Sequence, residues 1–222
     1  MTTRKKRLHP TLAAAACVLL IALCAVLFVA YRRHGAVRVA QEYLSEAYSE
    51  PMLTQGVRFS WIDPCVYHVS FVPQDQPEVR FEVLVQRDLT LQGRPDDYLL
   101  ALFEHQLADE LQPDAPLSLS VRAERGLYGF QELDGCTDKT PLRELEPMIR
   151  QYSVRVCLPD GVSAEDAAAP VMALIGQLRA SGYEPDRLDV ELPSISESQS
   201  VWLTDWQSIR TEEELLEHLA DS

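Results

Sequence analysis

Lysine is almost absent from most of this chain. After Arg33 it occurs once, at Lys139, and the fourteen Lys and Arg of residues 34–222 face all thirty-four Asp and Glu, a net charge of −20. A surface of that sign repels phosphate backbones, which excludes nucleic acid as a partner. Glycine is sparse as well, nine residues in 222, and none sits in a Gly-x-Gly-x-x-Gly turn, a P-loop or a Gly-x-Ser-x-Gly elbow. The common nucleotide cradles and the hydrolase nucleophile turn are therefore missing. Of five cysteines, Cys17 and Cys24 lie in an apolar run; Cys65, Cys136 and Cys157 are an odd number that allows at most one internal disulfide and fits no zinc spacing.

Histidine offers little chemistry. His105 and Asp109, four apart on a helical segment, have the spacing to share a metal, but "FEHQLADE" lacks the second histidine and base of a metallohydrolase helix. A solvated surface residue is the reading we adopt for His105. No catalytic, cofactor-binding or metal-ligating residue is assigned, and no cofactor is expected. No internal repeat is evident.

What the sequence does have is one long apolar run. Leu12 to Tyr31 is twenty residues without a charge, and at about 1.5 Å per residue it covers roughly 30 Å, the thickness of a bilayer's hydrocarbon. A cleaved signal has an apolar core of only about 7–15 residues followed by small residues; here the run continues through Val26, Leu27, Phe28 and Val29 to Arg32 and Arg33. A lipidated cysteine is disfavoured too, because bulky Leu23 precedes Cys24 and the apolar run before Cys17 is short. Residues 12–31 are expected to cross the lipid bilayer as an uncleaved anchor, with residues 1–11 as a cytoplasmic tail. Arg4, Lys5, Lys6 and Arg7 on one flank and the acidic remainder on the other place the N-terminus inside and the rest outside the cell membrane. So short an inner segment argues against transmembrane signalling.

Beyond the anchor the patterning is mixed α+β. "AVRVAQEYLSEAYSEP" reads as a helix, continuous with the anchor or hinged at Gly35, with Val39, Tyr43 and Ala47 on its inner face. Three segments then alternate with period two: Val57, Phe59 and Trp61; Tyr67, Val69 and Phe71; Val79, Phe81, Val83 and Val85. They predict an antiparallel meander. Leu100, Phe103, Leu107 and Leu111 form the stripe of a covering helix capped at Asp96. This first unit spans 36–112, and "PDAP" separates it from a second α/β-type sandwich unit, 117–222. The second unit carries a strand pair, "LSLSVRA" with "LYGFQEL", and a short helix capped by Thr140. A βαβ unit follows, from "QYSVRVCLPDG" to "RLDVEL", with Ser163 as helix cap and Gly182 as C-terminal cap, then an edge strand at "SVWLTDW" and a last helix opened by a Thr211–Glu214 capping box. Pro170 and Gly176 inside the long helix predict a kink or a later start.

The polar face of the meander carries the candidate site residues, Arg58, His68, Arg80 and Glu82, with Ser60 and Ser70 beside them. Polar outward residues are also what any half-exposed strand shows. Trp61, Trp202 and Trp206 are expected in the core rather than as an exposed platform.

"AQEYLSEAY", "FVPQDQPEVRFEVLV" and "DDYLLALFEHQLADEL" together resemble a loose group of uncharacterised membrane- or lipid-anchored proteins of Gram-positive bacteria, which show a helix, a Pro-Asp-x-Pro-Glu hairpin and a Tyr-Leu helix. The resemblance covers residues 36–112 and implies no activity. The functional expectation is a non-catalytic cell-envelope interaction module with an envelope protein as partner. The alternative is an envelope enzyme or small-ligand binder with its site on the polar sheet face near His68.

Overall fold

A computed structural model describes residues 10–61, 66–111, 117–124, 133, 135–149, 151–159, 162–192 and 199–220. The chain is α+β, with an N-terminal apolar helix, an antiparallel three-stranded sheet and a four-stranded sheet packed with helices.

Helix α1 runs unbroken from Pro10 to Ala47. Its outer part, through Tyr31, exposes Val18, Leu19, Leu20, Ile21, Leu23, Val26 and Phe28, which is long and apolar enough to cross a membrane. Its last third is different. Ala36, Ala40 and Leu44, followed by Tyr48 just past the helix end, are buried at i, i+4 spacing. The inner stripe is thus displaced by one residue from the expected Val39, Tyr43 and Ala47, which are half-buried. Two small alanines explain the shift, because they let the helix backbone approach the sheet. No hinge forms at Gly35. Instead a Cβ there would lie 2.8 Å from Leu89 Cδ1, so glycine admits the turn after the third strand against the helix.

Strands β1 (Met52–Phe59), β2 (Val66–Pro73) and β3 (Phe81–Gln86) pair antiparallel in the order β1-β2-β3, as the alternation predicts. Tyr67, Val69, Phe71, Phe81, Val83 and Val85 are buried on one face. Trp61 departs from its expected place: it lies past the end of β1 and is 79% exposed. Helix α2 (Tyr98–Glu110) buries Leu100, Phe103 and Leu107. Its cap is Asp97 rather than Asp96, although Asp96 Oδ1 accepts the Tyr98 N–H. Asp97 itself accepts the Glu82 N–H at 2.7 Å and so ties the helix entrance to β3. α2 covers the meander together with α1, and it packs more extensively on β4 (Ser118–Ala123).

The second sheet is ordered β4-β5-β6-β7, with β5 at Tyr152–Cys157, β6 at Arg187–Leu192 and β7 at Gln199–Leu203. β5 and β6 are parallel and joined by α4 (Ala164–Ser181), which is the expected βαβ unit; β7 adds the antiparallel edge. The described partner of β4 is β5, and most of the expected "LYGFQEL" arm lies outside the described residues. α4 starts where Ser163 Oγ accepts the Asp166 N–H, keeps Pro170 in its interior, and ends at Gly182 with φ +77°. Short helix α3 (Leu142–Leu145) is capped by Pro141, while Thr140 Oγ1 accepts the Thr137 N–H. α5 (Glu212–Ala220) opens with the reciprocal Thr211–Glu214 box. Buried side chains from Ala36 to Leu219 form one cluster, with Phe103 of α2 edge-on to Tyr152 of β5.

Candidate functional site

Register decides what meets on the polar face of the meander. A bulge between Thr54 and Gly56 sets Arg58 opposite His68, while Ser70 lies opposite Glu82. Glu82 gathers the group: its Oε2 is 2.7 Å from His68 Nδ1, and its Oε1 is 3.5 Å from Ser70 Oγ and 4.0 Å from an Arg58 nitrogen. His68 is largely buried and Arg58 is exposed. Arg80 is placed elsewhere. It precedes β3 and lines a shallow groove of about 270 Å³ with Glu78, Glu104 and His105. The structure thus brings Arg58, His68 and Glu82 together and leaves Arg80 on another surface. Chemically, the trio is a cross-strand hydrogen-bonded and ionic ladder, the kind of pairing that fixes register.

His105 is half-buried, with Nε2 3.3 Å from Glu78 Oε1 and 3.4 Å from Asp109 Oδ2. Among the described residues no group of three or more His, Cys, Asp or Glu is placed to hold a metal ion.

A denser polar cluster lies inside the molecule. Asp96, 1% exposed, accepts from Tyr43 Oη at 2.6 Å, from Tyr48 Oη at 2.7 Å and from the Tyr98 N–H. Arg94 stands 3.7 Å from the same carboxylate and donates to Tyr48 Oη and to the carbonyls of Leu133 and Cys136. Burial, reinforced by the Asp96 charge, raises the Tyr48 phenol far above its usual range. With the carboxylate taking two tyrosine hydroxyls and the guanidinium ends donating to Tyr48, Leu133 and Cys136, and Arg94 Nε alone left to the longer ion pair with Asp96, this cluster is a joint between α1, the entrance of α2 and the residues Leu133 and Cys136, rather than a reactive site.

The open face of the second sheet is the site that sequence reasoning missed. Asp189 is buried although it points to that face, because its cross-strand neighbours Arg155 and Trp202 and the nearby Arg187 cover it. Arg187 Nε approaches Asp189 Oδ1 to 2.8 Å, an ion pair without hydrogen-bond alignment, and its guanidinium stands 5.2 Å over the Trp202 ring. Trp202 is 65% exposed, and Arg122, Arg155 and Arg187 line an adjoining groove of about 560 Å³. The signal was the parity of "SVRVC" and "RLDVEL": with the valines inward, the arginines must share the outer face. Trp206, in contrast, is buried and donates to the Pro185 carbonyl at 2.8 Å.

These elements define a mixed α+β protein with, among the described residues, one helix long and apolar enough to cross a membrane. No family model matches the sequence, and no curated protein matches it. Among solved structures the chain is similar to that of a DUF5037 family protein from Ruminococcus gnavus ATCC 29149. The TM-score is 0.40 at 9% identity, covering 70% of this chain and 73% of that one.

Proposed function

We propose that this chain is a single-pass membrane protein, N-terminus inside, whose acidic α+β part stands outside the cell membrane as a non-catalytic envelope interaction module. It would belong with the anchored Gram-positive proteins that residues 36–112 resemble. The observation that carries the reading is the continuity of α1: the exposed apolar half and the half that enters the core are one helix, so the folded part is carried on the anchor without a linker. The Trp202–Arg187 pair on the open face of the second sheet supports a partner-binding role, since exposed tryptophan and arginine are the residue types on which interfaces concentrate their energy. The ladder around Glu82 supports a structural rather than catalytic reading of the meander's polar face, because the Glu82 carboxylate is engaged by His68, Ser70 and Arg58 at once.

The test is a photo-crosslinking residue at position 202 in the full-length protein in cells, with the same probe at Ser208 as control. A reproducible envelope protein trapped from position 202 alone supports the module. Identical patterns from both sites refute the assigned surface. Labelling of a cysteine placed at Ser208 by an impermeant maleimide reports orientation: protection in intact cells overturns the outside placement.

A further inference from the structure

A broad groove lies where α1 meets the folded part. At about 1.5 Å per residue, Ala36 is roughly 7 Å beyond Tyr31, within the thickness of a headgroup layer. The elements docked there are the end of β1, the start of β2 and the turn after β3. That turn is built tightly. Asp88 accepts both the backbone N–H and the hydroxyl of Thr90, and Leu89 takes φ +67° to pack over Gly35. Between turn and helix is a groove of about 1040 Å³.

Its walls are sorted by polarity along the helix. Phe28 and Val29 line the end nearer the apolar segment, and one turn on, Arg32 and Arg33 project at i+4 from them. Arg87 lines the groove from the β3 turn. Phe59, Trp61 and Tyr67 supply an aromatic wall, with Trp61 edge-on to Phe59 at 4.7 Å. Aromatic side chains of this kind favour the membrane–water boundary. Three arginines against the single lining acid, Asp88, invert the sign of a region whose net charge is −20. Among the described residues none of these three arginines forms an ion pair within 4 Å, although Arg32 acts electrostatically on Asp88.

We propose that this groove binds the phosphate headgroup of an anionic membrane lipid between Arg32, Arg33 and Arg87, with the acyl chains along Phe28 and Val29. The assignment rests on the anchor reading above. It differs from general attraction to a charged leaflet, because Arg87 comes from a separate segment and lines the same groove as the two helix arginines.

The full-length protein is reconstituted in vesicles of phosphatidylcholine with a minor share of phosphatidylglycerol. It is then floated on a density gradient and re-extracted in mild detergent, and the lipids it retains are weighed by native mass spectrometry. Retention of phosphatidylglycerol above its vesicle share is expected. Arg87→Gln, an exposed change on the turn, lowers that retention about fivefold, the factor for one arginine near an anionic surface. Arg210→Gln, far in sequence and exposed, leaves it unchanged. Excess inorganic phosphate also leaves it unchanged if a lipid is the occupant; displacement by phosphate means a free-anion site and overturns the proposal. Flotation with both lipids retained in proportion to their supply overturns the lipid site and leaves the anchor standing. Failure to float overturns both.

Discussion

Replacing Asp96 with asparagine isolates the charge of the buried joint while keeping its shape. The carboxylate receives two tyrosine hydroxyls and one backbone N–H and faces the buried guanidinium of Arg94. Breaking a buried ion pair from one side costs about 3–5 kcal/mol, because the remaining charge is left uncompensated. Two features set the expectation at the low end, about 3 kcal/mol. The amide oxygen can still accept two of the three donors, and Arg94 keeps the carbonyls of Leu133 and Cys136. At about 2–4 °C per kcal/mol for a domain of this size, the melting temperature falls by about 6–12 °C. The assay is thermal unfolding of the detergent-solubilised full chain, followed by the fluorescence of buried Trp206. Adding Arg94→Met to Asp96→Asn removes the orphaned charge and recovers more than half of the loss. A loss below about 0.5 kcal/mol for Asp96→Asn, the scale of an ordinary surface change, refutes the view of the joint as a buried charge pair. So does a double variant no more stable than the single one.

Alkaline titration tests the tyrosines. Burial and a hydrogen bond to Glu110 push Tyr183 up to about 12 from 10.0, and burial lifts Tyr48, Tyr98 and Tyr152 further. Their neutral forms are favoured by folding, so stability is level below the unfolded value near 10 and falls as pH rises above it. Tyrosinate absorbance should therefore appear in two stages, the second coincident with unfolding; a single smooth titration of all eight tyrosines near 10 contradicts this. Burial and the Glu191 carboxylate push the Cys157 thiol up to about 11, so mass spectrometry should find it unlabelled by iodoacetamide at pH 7 and labelled only at high pH. Ser163→Ala and Thr211→Ala each remove a cap that accepts a backbone N–H, and each should cost about 1 kcal/mol in thermal melts. Gly182→Ala, at φ +77°, should cost about 1–2 kcal/mol by the same measurement.

Local rules carried most of the fold. The alternation within each meander strand, the α2 stripe, the periods inside the βαβ unit, the Ser163 cap and the Thr211–Glu214 box are all set by residues within a few positions of one another, which is why period and capping reveal them. The misplaced features depend on distant partners. The buried phase of α1 is fixed by alanines at 36 and 40 fitting against the sheet, whereas hydrophobicity alone favours Val39 and Tyr43. Tyr43 is drawn to the helix flank by Asp96, fifty-three residues away. The candidate trio was partly legible because parity puts Arg58, His68 and Glu82 on one face, yet only the bulge near Gly56 decides that Arg58 faces His68. Arg80 shares that parity, but the strand begins one residue after it, so its side chain is free to line another groove.

If the apolar part of α1 lies in a bilayer whose near leaflet is anionic, a chain whose residues 34–222 carry a net charge of −20 has an electrostatic problem. Screening limits the problem to the nearest layer, because at physiological salt the Debye length is about 8 Å and charges farther out scarcely feel the surface. Arg32 and Arg33 rise only about 3 Å past Tyr31, Arg87 and Asp88 line the groove beside them, and Arg38 lies about 10 Å along the helix, just beyond that layer. Arg38 is already paired with Glu42 one turn along the helix, and the Asp88 carboxyl is held below its usual range by the Thr90 hydroxyl. On the proposed anchoring, the leaflet would meet Arg32, Arg33 and Arg87 against the single acid Asp88, a net positive rim. A molecule whose overall charge argues for repulsion can in this way sit against an anionic surface, and the sign of the contact is decided by three arginines from two segments rather than by composition.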